Sequence, residues 1–466
     1  LVLQLLLILY LNYRESFNPL KKEVLVLQKD EIKAKIIEVI EENRSKIIEL
    51  VDEIYKNPEL GYKEEKTTEI LAAAFSDLEI DFKRHQDLTG INALLKMGNP
   101  GPQIAILGEL DAVTCSEHPD ADPETKAVHA CGHNIQLGVM YGAAAAFKKA
   151  GVESELAGCL NFITTPAEEF IELEYRSQLR EAGKINYFGG KQELIKRGSF
   201  DNVDISIMMH SLNLGEKKAL VAPKGNGFVG KNIRFIGKES HAGSAPEKGV
   251  NALNAAVLAI NNINAQRETF AEADRVRVHP IITKGGDIVN IVPADVRMES
   301  YVRARNIEAI KKANEKVDRS LKGAAMAVGA DVKITDIPGY LPLLNNQSLD
   351  SILESNLLEL IDQDQITVGG DFTGSFDFGD ISHLMPALHP FFGGVSGDLH
   401  TRNFKTEVKE DAYILPVKAL AMTVVDLLYN DAAEAEKIIE DFEPPLSKAE
   451  YLNLMEELTG EVIYKN

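Results

Sequence analysis

Across residues 31–55 the apolar positions Ile36, Ile40, Ile47, Val51 and Ile54 recur at helical spacing, with Glu and Lys between them. That pattern predicts one long amphipathic helix. Asn57-Pro58 ends it, because the residue before a proline is pushed out of the helical region. A second helix is expected from about Glu64. The apolar run 103–107 then reads as a buried strand, with Glu109 and Asp111 just past its end. An alanine-rich stretch, 135–147, predicts a helix whose entry turn holds Cys131 and His133. Strands are expected at 159–165 and 204–209; Glu168-Glu169 follows the first, and His210 ends the second. Open α/β sheets gather their ligands at the carboxyl ends of strands. Two strands of this chain therefore deliver ionisable groups to that edge.

Beyond about residue 221 the pattern changes. Strand 232–237, helix 249–264, strands 275–282 and 295–304, helix 307–326 and strand 331–337 give the order β-α-β-β-α-β. This is the split βαβ, ferredoxin-like arrangement. The reading is an α/β domain in two parts, residues 30–221 and 339–430, with a smaller α+β domain, 222–338, inserted between them. A helix at 412–428 closes the first domain. Residues 431–466 read as a charged helical tail broken by Pro444-Pro445, packing loosely or covering an edge. A chain of 466 residues is in any case too long for one hydrophobic core.

Composition changes little in this picture: 45% hydrophobic and 26% charged is ordinary for a globular protein. Charge changes more. A net −21 repels nucleic acid and anionic membrane, so neither is an expected partner. The three cysteines, Cys115, Cys131 and Cys159, are too few and too spread for a disulfide framework, which points to the reducing cytoplasm. Cys115 and Cys159 sit in or beside apolar strands and read as buried small hydrophobes. The apolar residues 1–11 are shorter than the roughly 20 residues a membrane span needs, and they lack a basic flank. Lys22-Glu23-Val24 is what a ribosome-binding sequence would encode in frame, so residues 1–25 are expected to be translated upstream DNA.

The candidate chemistry centres on His129-Ala130-Cys131-Gly132-His133-Asn134. Cys-x-His cannot hold a metal tightly alone, but Glu169, His210 and His400 complete a set of five ligands of mixed type. Such a set suits two divalent ions about 3.5–4 Å apart with water between them. Thiolate plus imidazole favours zinc, with manganese or cobalt as alternatives. Glu168, beside a ligand on a loop, is then free to take the proton of the bridging water and return it to a leaving amine. Asp111 suits a hydrogen bond to a ligand imidazole. His129 is a further candidate for that outer layer, whereas His118, His279, His383 and His389 read as structural. Bland readings stand beside these: Glu168-Glu169 as a solvated surface pair, and His210 as a hydrogen-bonded strand-end residue. So do two other functions, namely Cys131 as a nucleophile with His133 as its base, and a non-catalytic metal-binding scaffold of the same fold.

The segment Ile54-Tyr55-Lys56-Asn57-Pro58-Glu59-Leu60-Gly61-Tyr62 opens a series of motifs in a characteristic order. It is followed by Gly108-Glu109-Leu110-Asp111-Ala112, the 129–134 stretch, and Thr165-Pro166-Ala167-Glu168-Glu169. His210, Ser240-His241-Ala242-Gly243, Asn290-Ile291-Val292-Pro293 and Arg303 complete it. Together, over about residues 30–430, they resemble the aminoacylase/carboxypeptidase family of dinuclear metal-dependent amidohydrolases. The Gly-Glu-Leu-Asp and Cys-Gly-His-Asn forms look most like the branch containing aminobenzoyl-glutamate hydrolase and related dipeptidases. The resemblance implies a zinc-exopeptidase-like domain, a mixed sheet with helices on both faces, carrying an inserted lid and dimerisation domain. It implies a homodimer that cleaves the amide bond of N-acyl amino acids or small dipeptides. Cys131, His133, Glu169, His210 and His400 are its implied ligands, and Glu168 the base. His241, from the partner subunit, is implied as oxyanion stabiliser, and Asn290 and Arg303 as the grip on the substrate carboxylate. Three departures stand out: Asn134 where many relatives have Asp, an extra segment at 170–188 that reads as a lid narrowing substrate choice, and Thr401-Arg402-Asn403 after His400 in place of His-Ser-Pro.

Overall fold

The computed structural model describes residues 27–466; the expectation for residues 1–25 lies outside them. A six-stranded sheet forms the larger half. From edge to edge it runs Phe82–Arg84, Ile91–Lys96, Ala157–Thr165, Asn99–Glu109, Ile205–Ile207 and Ala387–Leu388. The first two pairings are antiparallel and the remaining three parallel, so the sheet is mixed. One face carries the helices Lys29–Glu42, Arg44–Tyr55, His133–Ala150 and Leu415–Asp441, the last broken by non-helical backbone at Tyr429, Asn430, Asp431 and Ala432, over a single apolar core. The other carries Gly190–Arg197, Phe378–Ser382 and Lys448–Glu457. Helix His133–Ala150 is buried on nearly every side, which explains why its sequence is alanine-rich rather than amphipathic. Among the described residues only the helical stretch Glu410–Asp441 is long and apolar enough to cross a membrane. Burial of 83% of its apolar window in this core accounts for that composition.

Several boundaries differ from the sequence pattern. The single helix expected over 31–55 is two, because Asn43 leaves helical geometry at φ −94°, ψ 3°. Its side-chain amide donates to the Val39 carbonyl at 2.7 Å, a local bond that competes with the helical ladder. The strand Asn99–Glu109 extends through Glu109 rather than stopping short of it. The strand expected over 204–209 ends at Ile207, and His210-Ser211 starts a second short strand, parallel to Phe391-Phe392 in a separate four-stranded sheet. Cys115 and Cys159 are part-buried rather than buried, and all three cysteines are free.

The smaller sheet has the order Arg277–Lys284, Asp295–Ala304, Gly227–Ile236, Asp331–Pro338, Gly460–Tyr464, every pairing antiparallel. Its first four strands and the helices Ala252–Gln266 and Ile307–Val328 reproduce the expected ferredoxin-like order around their own apolar core. The fifth strand comes from the tail, which is therefore not wholly helical. Ser447 and Glu450 cap the helix Lys448–Glu457 reciprocally. Tyr451, Leu454, Met455 and Leu458 then bury themselves beside Leu194 and Ile195 of the larger half. The Tyr451 hydroxyl donates to Asp380 at 2.8 Å. The tail thus fastens both halves. Cutting the chain after Asp441 removes four buried side chains, at least ~6 kcal/mol by area. A melting temperature lower by about 6 °C is expected; an unchanged melt would show that the tail only decorates the surface.

Candidate metal centre

The chemistry gathers at the carboxyl ends of the central strands. Gly132 has φ +84°, and a Cβ there would lie 3.1 Å from the Ser211 side chain. Glycine is therefore what lets the chain turn sharply between Cys131 and His133, the first residue of its helix. Cys131 Sγ lies 3.2 Å from His400 Nε2 and 3.5 Å from His210 Nε2. Glu169 Oε1 is 3.0 Å from His400 Nε2. His133 Nε2 lies 3.0 Å from Glu109 Oε2 and 3.8 Å from Glu168 Oε2. Three overlapping groups have ligand atoms close enough to share an ion: Cys131, His133 and His210; Cys131, Glu169 and His400; and Glu109, His133 and Glu168. His400 comes to this place from 269 residues away in the chain, on a turn where its own φ is +62°.

Hydrogen bonds fix the orientation of two of the imidazoles. His133 Nδ1 faces the Asp111 carbonyl at 2.9 Å and its carboxylate at 3.3 Å, and His210 Nδ1 faces the Ser211 carbonyl at 2.8 Å. Donation from Nδ1 leaves each Nε2 lone pair pointing into the centre. His133 Nε2 and Glu169 Oε1 are buried, and the nearest polar partner of each, Glu109 Oε2 and His400 Nε2 at 3.0 Å, belongs to the same centre. With a thiol, three imidazoles and a carboxylate converging, the residues fit a divalent cation.

Electrostatics point the same way. Burial and Glu169 oppose ionisation of the Cys131 thiol, yet His400, His210 and His133 outweigh them and bring it down to about 6. Burial also opposes ionisation of Glu169, but the imidazolium of His400 holds its carboxyl down to about 2. Glu168 goes the other way: burial, then Glu109, Glu169 and Asp377, push its carboxyl well above the usual range. Five carboxylates crowd this region, and Lys191, fully buried, answers only Glu109 and Asp377. The sequence pattern assigns no role to Glu109, Lys191 or Asp377. Glu109 is visible as a strand-end carboxylate, but Lys191 and Asp377 carry no local signal. Asp111 also fixes the loop by accepting the Glu169 amide at 2.9 Å. His129 is buried with neither ring nitrogen bonded, held neutral at about 3 by burial, so it makes no hydrogen bond to a ligand. His118 and His383 bond backbone carbonyls, as structural histidines do.

A cavity of about 330 Å³ opens beside the centre, walled by Phe170, Phe228, Tyr301, Tyr340 and Phe376 and reaching Cys131, Glu168, Glu169 and His400. Arg303 lines it, its guanidinium 5.1 Å from the Phe228 ring centroid and bonded to the Ser375 hydroxyl at 2.8 Å. Among the described residues it has no ion-pair partner. His241 and Asn290 do not line this cavity. They meet each other on the exposed side of the smaller half, where the Ala242 amide donates to the Asn290 carbonyl. The extra segment 170–188 borders this cavity. Phe170 and Ile171 form part of the cavity wall, while the helix Leu173–Glu181 packs behind it.

Comparison with known proteins agrees with this architecture. Residues 226–327 match the peptidase dimerisation domain. Over 338 residues the chain is 33% identical to human Xaa-Arg dipeptidase, covering 70% of this chain and 72% of that one. It is 26% identical over 326 residues to one of the subunits of the p-aminobenzoyl-glutamate hydrolase of Escherichia coli, covering 68% and 63%. A Bacillus subtilis dinuclear metal-binding peptidase superposes with TM-score 0.62 at 22% identity, over 82% of this chain and 98% of that one. With 33% identity over more than two thirds of that relative, the chain belongs to the M20 family of metal-dependent hydrolases that cleave amide bonds.

Proposed function

We propose that this protein hydrolyses the amide bond of N-acyl amino acids or small dipeptide-like compounds, with two divalent ions held by Cys131, His133, Glu169, His210 and His400. Zinc is the expected occupant, with manganese or cobalt as alternatives. The observation that carries this reading is the convergence of Cys131, His133, Glu169, His210 and His400 on one carboxylate-rich centre, their ligand atoms close enough to share an ion. When bound, the ions polarise the scissile carbonyl and make water acidic enough to attack at neutral pH. Glu168, next to the ligands yet turned toward the cavity, takes the proton of the attacking water and delivers it to the leaving amine. Asp111 holds the His133 tautomer. Arg303 pairs with the carboxylate of the amino-acid half, for which a planar guanidinium without another anion is suited. The aromatic wall receives the apolar part of the substrate.

The exposed loop carrying His241 and Asn290 reaches the cavity of a second copy in this reading, which makes the enzyme a homodimer with His241 stabilising the oxyanion in trans. Exposed Ile281, Ile288, Val289 and Ile291 on the same half supply apolar surface for such contact. Three free cysteines accord with a cytoplasmic location. Screening acylated amino acids and dipeptides with zinc, manganese and cobalt tests the whole reading; no hydrolysis with any metal would remove it. Arg303→Met is expected to raise KM about 10- to 100-fold with kcat little changed, the worth of one charge-assisted pair made equally in ground and transition states. A fall in kcat alone would assign Arg303 elsewhere.

A further inference from the structure

We propose that Arg176, on the helix of the extra segment 170–188, is a positioning residue for Glu168 and Glu169; this rests on the hydrolytic reading above. Its side chain is fully buried. Among the described residues no carboxylate pairs with it, an unusual state for a guanidinium, because burying an uncompensated charge is costly. Its donors go instead to backbone carbonyls: Nη2 to Glu169, and Nη1 to Phe188 at 2.8 Å and, more weakly, to Ala167 at 3.5 Å. Two of these three acceptors lie on the turn that carries the base and the carboxylate ligand. The third closes the far end of the extra segment, so one cation ties both ends of that segment to the turn.

The turn needs holding. Ala167 sits at φ +52°, a left-handed conformation that a residue with a Cβ adopts at a cost. Its other polar atoms are also tied: the Ala167 amide to Glu64 at 2.8 Å, the Glu168 carbonyl to the Tyr340 hydroxyl, and the Glu169 amide to Asp111. Arg176 adds a second donor to the Glu169 carbonyl, which also accepts the Ile171 amide at 2.8 Å. The sequence makes room for it in the Asn57–Tyr62 motif. A Cβ on Gly61 would lie 2.5 Å from Arg176 Nη2 and 2.8 Å from Ala167, and the Tyr62 ring lies 5.6 Å from the guanidinium carbon. A glycine that the metal chemistry leaves unexplained thus has a physical role: it admits the guanidinium to the back of the turn. Arg176 touches neither substrate nor metal, and it acts by fixing where Glu168 points.

The test compares Arg176→Met, which keeps the bulk and removes the donors, with Arg176→Lys, which keeps one cation. Arg176→Met should lower kcat about 10²-fold, the cost of a misplaced catalytic group, with KM and bound zinc per chain close to wild type. Arg176→Lys, or added guanidinium ion, should restore part of kcat. Hydrogen exchange should quicken at residues 167–171 in Arg176→Met and stay unchanged in the smaller sheet. Wild-type kcat in Arg176→Met overturns the proposal. So does a loss that follows zinc content and melting temperature with no recovery by lysine or guanidinium, which marks a purely structural role. If the wild-type protein with metal hydrolyses no substrate, the hydrolytic reading fails by itself. The exchange measurement still decides whether Arg176 holds the turn.

Discussion

Replacing Glu168 by Gln is expected to cut kcat by about 10²–10⁴-fold, the range supplied by general acid–base catalysis, while zinc content and KM stay near wild type. The reason is geometric. Glu168 is adjacent to Glu169, the proposed ligand, but its carboxylate is 3.8 Å from His133 and opens on the aromatic cavity. Gln keeps the size and the hydrogen-bonding reach of Glu168 but cannot accept a proton. Without bound cations, burial and three neighbouring carboxylates hold the Glu168 carboxyl well above its usual range. Two divalent ions nearby would favour its ionised form, the one the proposed proton transfer needs. Steady-state kinetics with metal analysis checks this. Retained turnover in Glu168→Gln would move the proton transfer to another group, and loss of zinc would make Glu168 a ligand.

Dialysis against a chelator is expected to abolish hydrolysis completely, and added zinc to restore it. The alternative that this experiment removes is a thiol hydrolase. The structure gives that alternative some physical content, since Cys131 is brought to about 6 and lies within 3.5 Å of two imidazoles. Those imidazoles are His400 and His210, however, rather than the His133 that sequence adjacency proposed as the base. A cysteine nucleophile would keep its activity through chelation. Stability should follow the metal as well. Ligand present at about a thousand times its dissociation constant contributes about 4 kcal/mol to folding, so a melting temperature lower by about 4 °C is expected for the stripped protein. Release of mutual repulsion among Glu109, Asp111, Glu168, Glu169 and Asp377 is the physical source. A chelated protein with unchanged activity would leave the metal no catalytic part.

Helix and strand order was legible because it is written in local periodicity. The ferredoxin-like order of the smaller half needed only six segments with clear patterns, and the observed sheet order follows from them. Boundaries were less legible where a side chain competes with the backbone, as at Asn43, or where a strand changes sheet, as at Met208-Met209 before His210. The tail's last strand was missed for another reason. Gly460–Tyr464 is exposed along much of its length and has no alternation to read, and it becomes a strand because Asp331–Pro338 offers it an edge.

The sequence by itself determined which residue types could do this chemistry, the Cys-x-His turn, the paired glutamates and the scattered histidines, and the order of elements that carries them. Tertiary structure decided how they meet. It put His400 beside Cys131 across 269 residues, gave Glu109 a histidine and a lysine as neighbours, and left His241 and Asn290 outside their own chain's cavity. It also made Arg176 a clamp on the turn bearing Glu168. Periodicity reports only which face of an element is buried. Which atoms meet on that face depends on long-range packing, because distant segments must close around the same few ångströms.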